Sequence, residues 1–90
     1  MKILHLTLKK KWFDKIASGR KTHEFRQVKP YWTKRLEGKV FDVIRFRNGY
    51  SASAPVMLVE FTGLSKRTFK KTDLYVVHLG KLLTGPAATH

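Results

Sequence analysis

Cysteine is absent from the ninety residues, which excludes disulfides, thiolate nucleophiles and cysteine metal sites together and fits an intracellular protein. Carboxylates are almost as scarce, with six Asp and Glu against nineteen Lys and Arg and a formal net charge of +13. Long apolar runs are missing too: no segment approaches the roughly twenty residues that span a bilayer. The opening MKILHLTLKKKW runs from apolar to basic, the reverse of a secretory signal. A soluble, unprocessed, cytoplasmic protein that does not enter membranes is the expectation. The four histidines, at positions 5, 23, 78 and 90, show no ligand spacing, so neither a metal nor a cofactor is called for; His5 and His78 read as strand residues in or near the core.

What is present is a hydrophobic fraction of 42%, too high for a disordered basic tail. Ninety residues make one domain with one small core. Self-repulsion at this charge opposes compaction, so the surplus points to a polyanionic partner, nucleic acid ahead of an anionic membrane, on a protein expected to be monomeric.

Hydrophobic periodicity orders the chain. Leu4, Leu6 and Leu8 alternate with Ile3, His5 and Thr7, as in a strand with one apolar face. Trp12, Phe13, Ile16 and Ala17 then fall at helical spacing, and Gly19 stands where a helix end favours a left-handed residue. KTHEFRQV reads as a second strand, and PYWTKRLEG as one or two helical turns opened by Pro30 and closed by Gly38. VFDVIRFRN is a strand buried on both sides or bulged; NGYSASAP turns the chain, and VMLVEFTGL returns as its hairpin partner. A basic loop, SKRTFKKTD, leads to a last strand, LYVVHLG. The expected fold is α+β and mostly β: a small antiparallel barrel flanked or plugged by one or two short helices, spanning residues 1–83, with 84–90 a frayed tail. Its core would draw on Leu4, Leu6, Ile16, Val43, Ile44, Phe46, Val59, Phe61, Val76 and Val77.

Candidate functional residues cluster in SGRKTHEFR, residues 18 to 26. Strand alternation puts Thr22, Glu24 and Arg26 on one face, with Glu24 and Arg26 about 7 Å apart at the backbone and Lys21 within reach across the turn. A carboxylate between cations stays ionised and suits an acceptor, a base or an anchor better than a general acid. The same spacing also suits a structural Glu–Arg pair that pins the first helix to the barrel.

Gly19, Lys21, Glu24 and Arg26 resemble the G-x-K-x-x-E-x-R signature of the ASCH domain, a small PUA-like β-barrel family, and the preceding strand and short helix are similar to its context. The likeness covers roughly residues 1 to 80. It implies a cleft between barrel and helix, floored by the signature residues and binding RNA or a nucleotide. Some family members cleave RNA, and a small branch hydrolyses N4-acetylcytidine. That branch uses the signature lysine, a threonine where this chain has Glu24, and a glutamate after the fourth strand; SKRTFKKTD contains no glutamate.

Further cations extend the candidate surface. Lys9, Lys10 and Lys11 open the first helix, where the macrodipole disfavours them by about 0.3 to 1 kcal/mol each, so they read as a phosphate site or as a solvated run. Arg20 adjoins the signature. Tyr31 and Trp32 are interleaved with Lys29, Lys34 and Arg35, the mixture of platforms and cations that single-stranded nucleic acids favour, although Trp32 equally suits an anchor on the barrel. Arg45 and Arg47 share a strand face near Tyr50. Glu60 shares a face with Val56 and Leu58 and is expected to turn inward, where it would divide catalytic roles with Glu24 if it reached the cleft. Three functions follow. The first is an RNA-binding module. The second is an enzyme on the same cleft, either a metal-independent ribonuclease or a nucleoside amidohydrolase; in the ribonuclease Glu24 takes the 2′-hydroxyl proton while Lys21 and Arg26 stabilise the phosphate. The third is a basic protein that contacts an acidic protein partner.

Overall fold

The alternation of Leu4, Leu6 and Leu8 becomes β1 (Ile3–Leu8), whose leucines are buried while Ile3 and His5 face outward. The chain then turns into α1 (Lys10–Ala17), which drives Phe13 and Ile16 into the core. Gly19 ends it with φ +79°, and its N–H reaches the Ile16 carbonyl at 3.0 Å. β2 (His23–Gln27) follows, then α2 (Pro30–Leu36), with proline in its first turn and Leu36 buried. β3 (Val43–Asn48), β4 (Pro55–Phe69) and β5 (Thr72–Ala88) complete the chain. The computed structural model describes residues 1–88.

The five strands form one mixed sheet in the order β1-β3-β4-β5-β2, curled into a half-barrel. The β1–β3 pair is parallel, Ile3 opposite Val43 and Leu8 opposite Asn48, and the other pairs are antiparallel. The sheet is therefore not purely antiparallel. The reason is the connection: α1, β2 and α2 all lie between β1 and β3, a crossover long enough to return the chain in the same direction.

The core joins both helices to the sheet. Leu4, Leu6, Ile16, Ile44, Phe46, Val59 and Val77 form one cluster with Leu8, Phe13, Leu36, Met57 and Tyr75. Val43 and Val76 are buried outside that cluster, and Phe61 is only partly buried, edge-on to Phe41 at 5.5 Å. Adjacent Val43 and Ile44 are both buried, as a strand covered on two faces requires.

Two segments differ from expectation. The basic loop SKRTFKKTD is strand on both sides of a two-residue turn at Lys70 and Lys71, whose φ values of 47° and 64° are those of a tight hairpin. Threonine and phenylalanine favour the strand, and Thr68 donates to Asp73 across it at 2.7 Å. Residues 84–88, expected to fray, continue β5, with Ala88 opposite Pro55; 89 and 90 lie outside the described residues. Register shifts between Val56 and Gly63 coil this long hairpin and bend the sheet.

Candidate nucleic-acid interface

The alternation in β2 turns Glu24 inward, and it is the one buried charged residue among those described, 5% exposed. Both of its oxygens are paired: Oε1 lies 3.3 Å from Lys21 Nζ, and Oε2 accepts from Arg26 Nη1 at 2.6 Å. Two cations on one buried carboxylate offset the cost of taking it out of water. The pairing of Glu24 with both cations was legible in the sequence.

Arg26 does more than neutralise Glu24. Its Nη2 donates to the Thr7 carbonyl of β1 at 3.2 Å, so one guanidinium bridges β2 and β1, the two edge strands of the half-barrel. The guanidinium also lies 5.1 Å from the centroid of Trp32, and its buried Nε has no hydrogen-bond partner. Glu24 thus fixes Arg26, and the Arg26 guanidinium lies over an aromatic ring.

Above Arg26 opens a cleft of about 710 Å³. β1 supplies His5 and Thr7, the α1 entry Lys9 and Trp12, α2 Tyr31 and Trp32, the end of β3 Asn48, and the β3–β4 loop Tyr50. Four aromatic side chains and two cations therefore converge on one concavity without a carboxylate. The acidic residues are engaged elsewhere: Asp14 pairs with Lys10, Glu37 with Lys66, Asp42 accepts the Lys2 N–H, and Asp73 accepts from Thr68. Glu60, expected to turn inward, is instead exposed against Gly80 and takes a long bond from the Lys81 N–H. Met57 and Val59 occupy the inward face of β4, so alternation sends Glu60 out.

The predicted cations divide into three groups. Arg26 and Lys9 line the cleft, Lys9 as the residue capping α1. Lys11, Arg20 and Lys21 lie outside the cleft's lining: Lys11 Nζ is 4.9 Å from the Trp12 indole centroid, Lys21 Nζ 5.4 Å, and Arg20 bonds Ser18 Oγ at 3.3 Å. The remainder do not line the cleft. Lys10 is tied to Asp14, and Lys29 caps α2. Lys34 and Arg35 lie in its last turn, where Arg35 stacks 3.5 Å from the Tyr31 centroid and bonds the Tyr31 carbonyl at 2.9 Å. Arg47 holds the β3–β4 loop through the Tyr50 and Ser51 carbonyls and thereby sets Tyr50 over the cleft. Arg45, opposite His5 and Leu58, does not reach it.

Trp32 packs partly against the core, as an anchor on the sheet would, and its ring also lines the cleft. Three contributors went unrecognised in the sequence. Trp12 fits the spacing of an amphipathic helix and drew no functional reading, yet it is 39% exposed; its setting in KKKWFDK, an aromatic among lysines, is the available signal. His5, expected in or near the core, faces outward into the cleft because the leucines on either side take the inward positions. Tyr50 carried no sequence signal beyond its loop.

Among the described residues no group of three or more His, Asp or Glu is placed to hold a metal ion, and no helix is long and apolar enough to cross a membrane. Comparison with protein-family models, with curated proteins and with solved structures gives no match.

Proposed function

We propose that this protein is a small ASCH-type, PUA-like module that binds single-stranded nucleic acid, RNA ahead of DNA, in the cleft above Arg26. One observation carries the reading: Trp12, Tyr31, Trp32 and Tyr50 meet Lys9 and Arg26 in a single concavity that no carboxylate lines. Aromatic faces stack on bases of any sequence, and cations beside them neutralise the phosphates that join those bases. Each stacked base is worth about 1 to 3 kcal/mol, enough for a few platforms to retain a short strand.

In this reading Glu24 is an anchor. Both oxygens are occupied and the side chain is sealed beneath the cleft, so its work is to hold Arg26 and Lys21 in place. Binding does not require it to exchange a proton, whereas a catalytic base must reach the substrate, and Glu24 is buried and does not line the cleft. The net charge of +13 supplies long-range attraction, and the cleft supplies the contacts.

A salt titration with short single-stranded RNA tests the proposal. The logarithm of affinity should fall with the logarithm of salt concentration at a slope of about −0.7 per phosphate contacted, and binding should persist at physiological salt because stacking is not screened. A flat dependence would refute the reading and favour an acidic protein partner. Turnover of RNA or of an acetylated nucleoside in the same samples would assign the cleft to an enzyme.

A further inference from the structure

Trp12 forms the wall of two cavities. On one side lies the cleft described above; on the other, a more open groove of about 360 Å³ lined by Trp12, Lys15, Arg20, Lys21, His23 and Phe25. Thr22 completes the lining, so this groove too has no carboxylate. Lys11, Lys15 and Lys21 place their ammonium groups 4.9, 5.2 and 5.4 Å from the one indole centroid, and Lys21 lies 4.9 Å from the Phe25 ring as well. Three like charges around one ring repel each other, and cation–π attraction of about 0.5 to 1 kcal/mol at an exposed site only partly offsets that. Lys21 alone of the three has a carboxylate partner, Glu24. The arrangement therefore stores positive charge beside an aromatic ridge.

We infer that this groove is a second nucleotide subsite, so that the natural ligand is an oligonucleotide crossing Trp12 and not a free nucleoside or mononucleotide. The inference rests on the proposed nucleic-acid reading of the cleft. A lone nucleoside fits on one side of Trp12 and leaves the groove cations unopposed. A strand crossing the ridge puts a phosphate against Lys15, Arg20 and Lys21 while its neighbouring base stays among Trp12, Trp32 and Tyr50. Phe25, 37% exposed beside Lys21, offers the outgoing base a further ring face.

The test is the dependence of affinity on ligand length, measured with uridine monophosphate and with uridine oligonucleotides of two, four and six residues. The variants are K15A/R20A, which removes two charges from the groove, and K70A/K71A, which removes two from the distant hairpin turn. Lys15 is half-buried and Arg20 exposed, and thermal melts verify that both variants remain folded. Affinity of the unaltered protein should rise about tenfold or more from the monophosphate to the tetranucleotide. K15A/R20A should abolish most of that rise and leave monophosphate binding unchanged, while K70A/K71A should preserve it. If the two double variants weaken the tetranucleotide equally, only net charge matters and the subsite is refuted. If K15A/R20A binds the tetranucleotide as well as the unaltered protein does, the subsite is refuted while the cleft reading survives. If no length binds at all, the cleft reading falls and the subsite with it.

Discussion

The cleft above Arg26 and the tip of the β4–β5 hairpin are built from the same residue types. The cleft has Lys9, Trp12, Arg26, Tyr31, Trp32 and Tyr50; the tip has Lys66, Arg67, Phe69, Lys70 and Lys71. Composition cannot tell them apart, but curvature can. In the cleft the rings come from two helices and a loop and converge, and a buried carboxylate holds the central guanidinium. At the tip they project from a single hairpin, with only a small apolar hollow of about 330 Å³ formed by Phe25, Arg67, Phe69 and Leu74. Basic and aromatic residues attract a polyanion anywhere on a surface, but they make a site where the backbone arranges them around one volume.

The largest expected effect comes from dismantling the support beneath the cleft. Arg26→Ala leaves buried Glu24 with Lys21 alone and cuts the link to Thr7, so unfolding free energy should fall by about 3 kcal/mol and RNA affinity at least tenfold. Urea denaturation and a binding titration measure the two losses. Glu24→Gln, which keeps the shape, should cost less stability and leave nonspecific RNA affinity equal or higher, since a negative charge beneath the cleft is removed. A collapse of binding in Glu24→Gln with the fold intact would show that the carboxylate's charge, through ligand contact or through its hold on Arg26, is needed for binding.

Next in size is the loss of a platform. Tyr50 is 86% exposed, so Tyr50→Ala should weaken RNA binding by about 1 to 3 kcal/mol with an unchanged melting temperature. Phe69→Ala at the tip, 55% exposed, should leave binding as it was. Equal losses from the two would erase the distinction between concave and convex surfaces. Trp32→Ala is a poorer probe, because that ring also packs against the core and its loss should lower stability as well.

The tip itself should yield a smaller gain. Lys70 and Lys71 both sit at positive φ, which a side chain with Cβ disfavours and Asn-Gly accepts. K70N/K71G should raise stability by about 1 kcal/mol, read by thermal melting, and reduce RNA affinity only through the two charges lost.

The smallest effect concerns Glu37, which lies outside the cleft and pairs with Lys66 of the hairpin. The Tyr75 hydroxyl, then Lys66, donate to its carboxylate and lower its pKa below the ordinary value of 4.5. The folded state therefore binds this proton less readily than the unfolded chain. The contribution is fully present above about pH 4.5 and is lost as pH falls through the depressed folded value. Tyr75→Phe should flatten that part of the stability–pH curve, although the loss of buried hydroxyl bonds also lowers the plateau.

How much of this was legible in the sequence depends on how local the cause is. The Lys21–Glu24–Arg26 cluster follows from alternation over a few residues, the first helix from a periodicity that Gly19 ends, and the second from the Pro30 and Gly38 that bracket it. The parallel β1–β3 pairing is not local, because it depends on where a thirty-odd-residue crossover returns the chain. The hairpin was concealed by its own charge: Lys66, Arg67, Lys70 and Lys71 look like a loop, yet they occupy strand positions and the turn of an exposed ribbon. Glu60 was misplaced by one step of alternation, since Met57 and Val59 and not Val56 and Leu58 face the core. Trp12 was missed because an amphipathic stripe shows which side of a helix is apolar but not where that stripe leaves the core.

The most direct measurement uses the fact that the chain has two tryptophans. Their indole N–H groups give one nuclear magnetic resonance signal each, and the backbone amides of Lys70 and Lys71 report on the hairpin tip in the same spectrum. Titration with a short single-stranded RNA at physiological salt should shift both indole signals, Trp12 and Trp32, together and saturably, while the tip amides stay in place. Shifts confined to the tip, with both indole signals unmoved, would contradict the account.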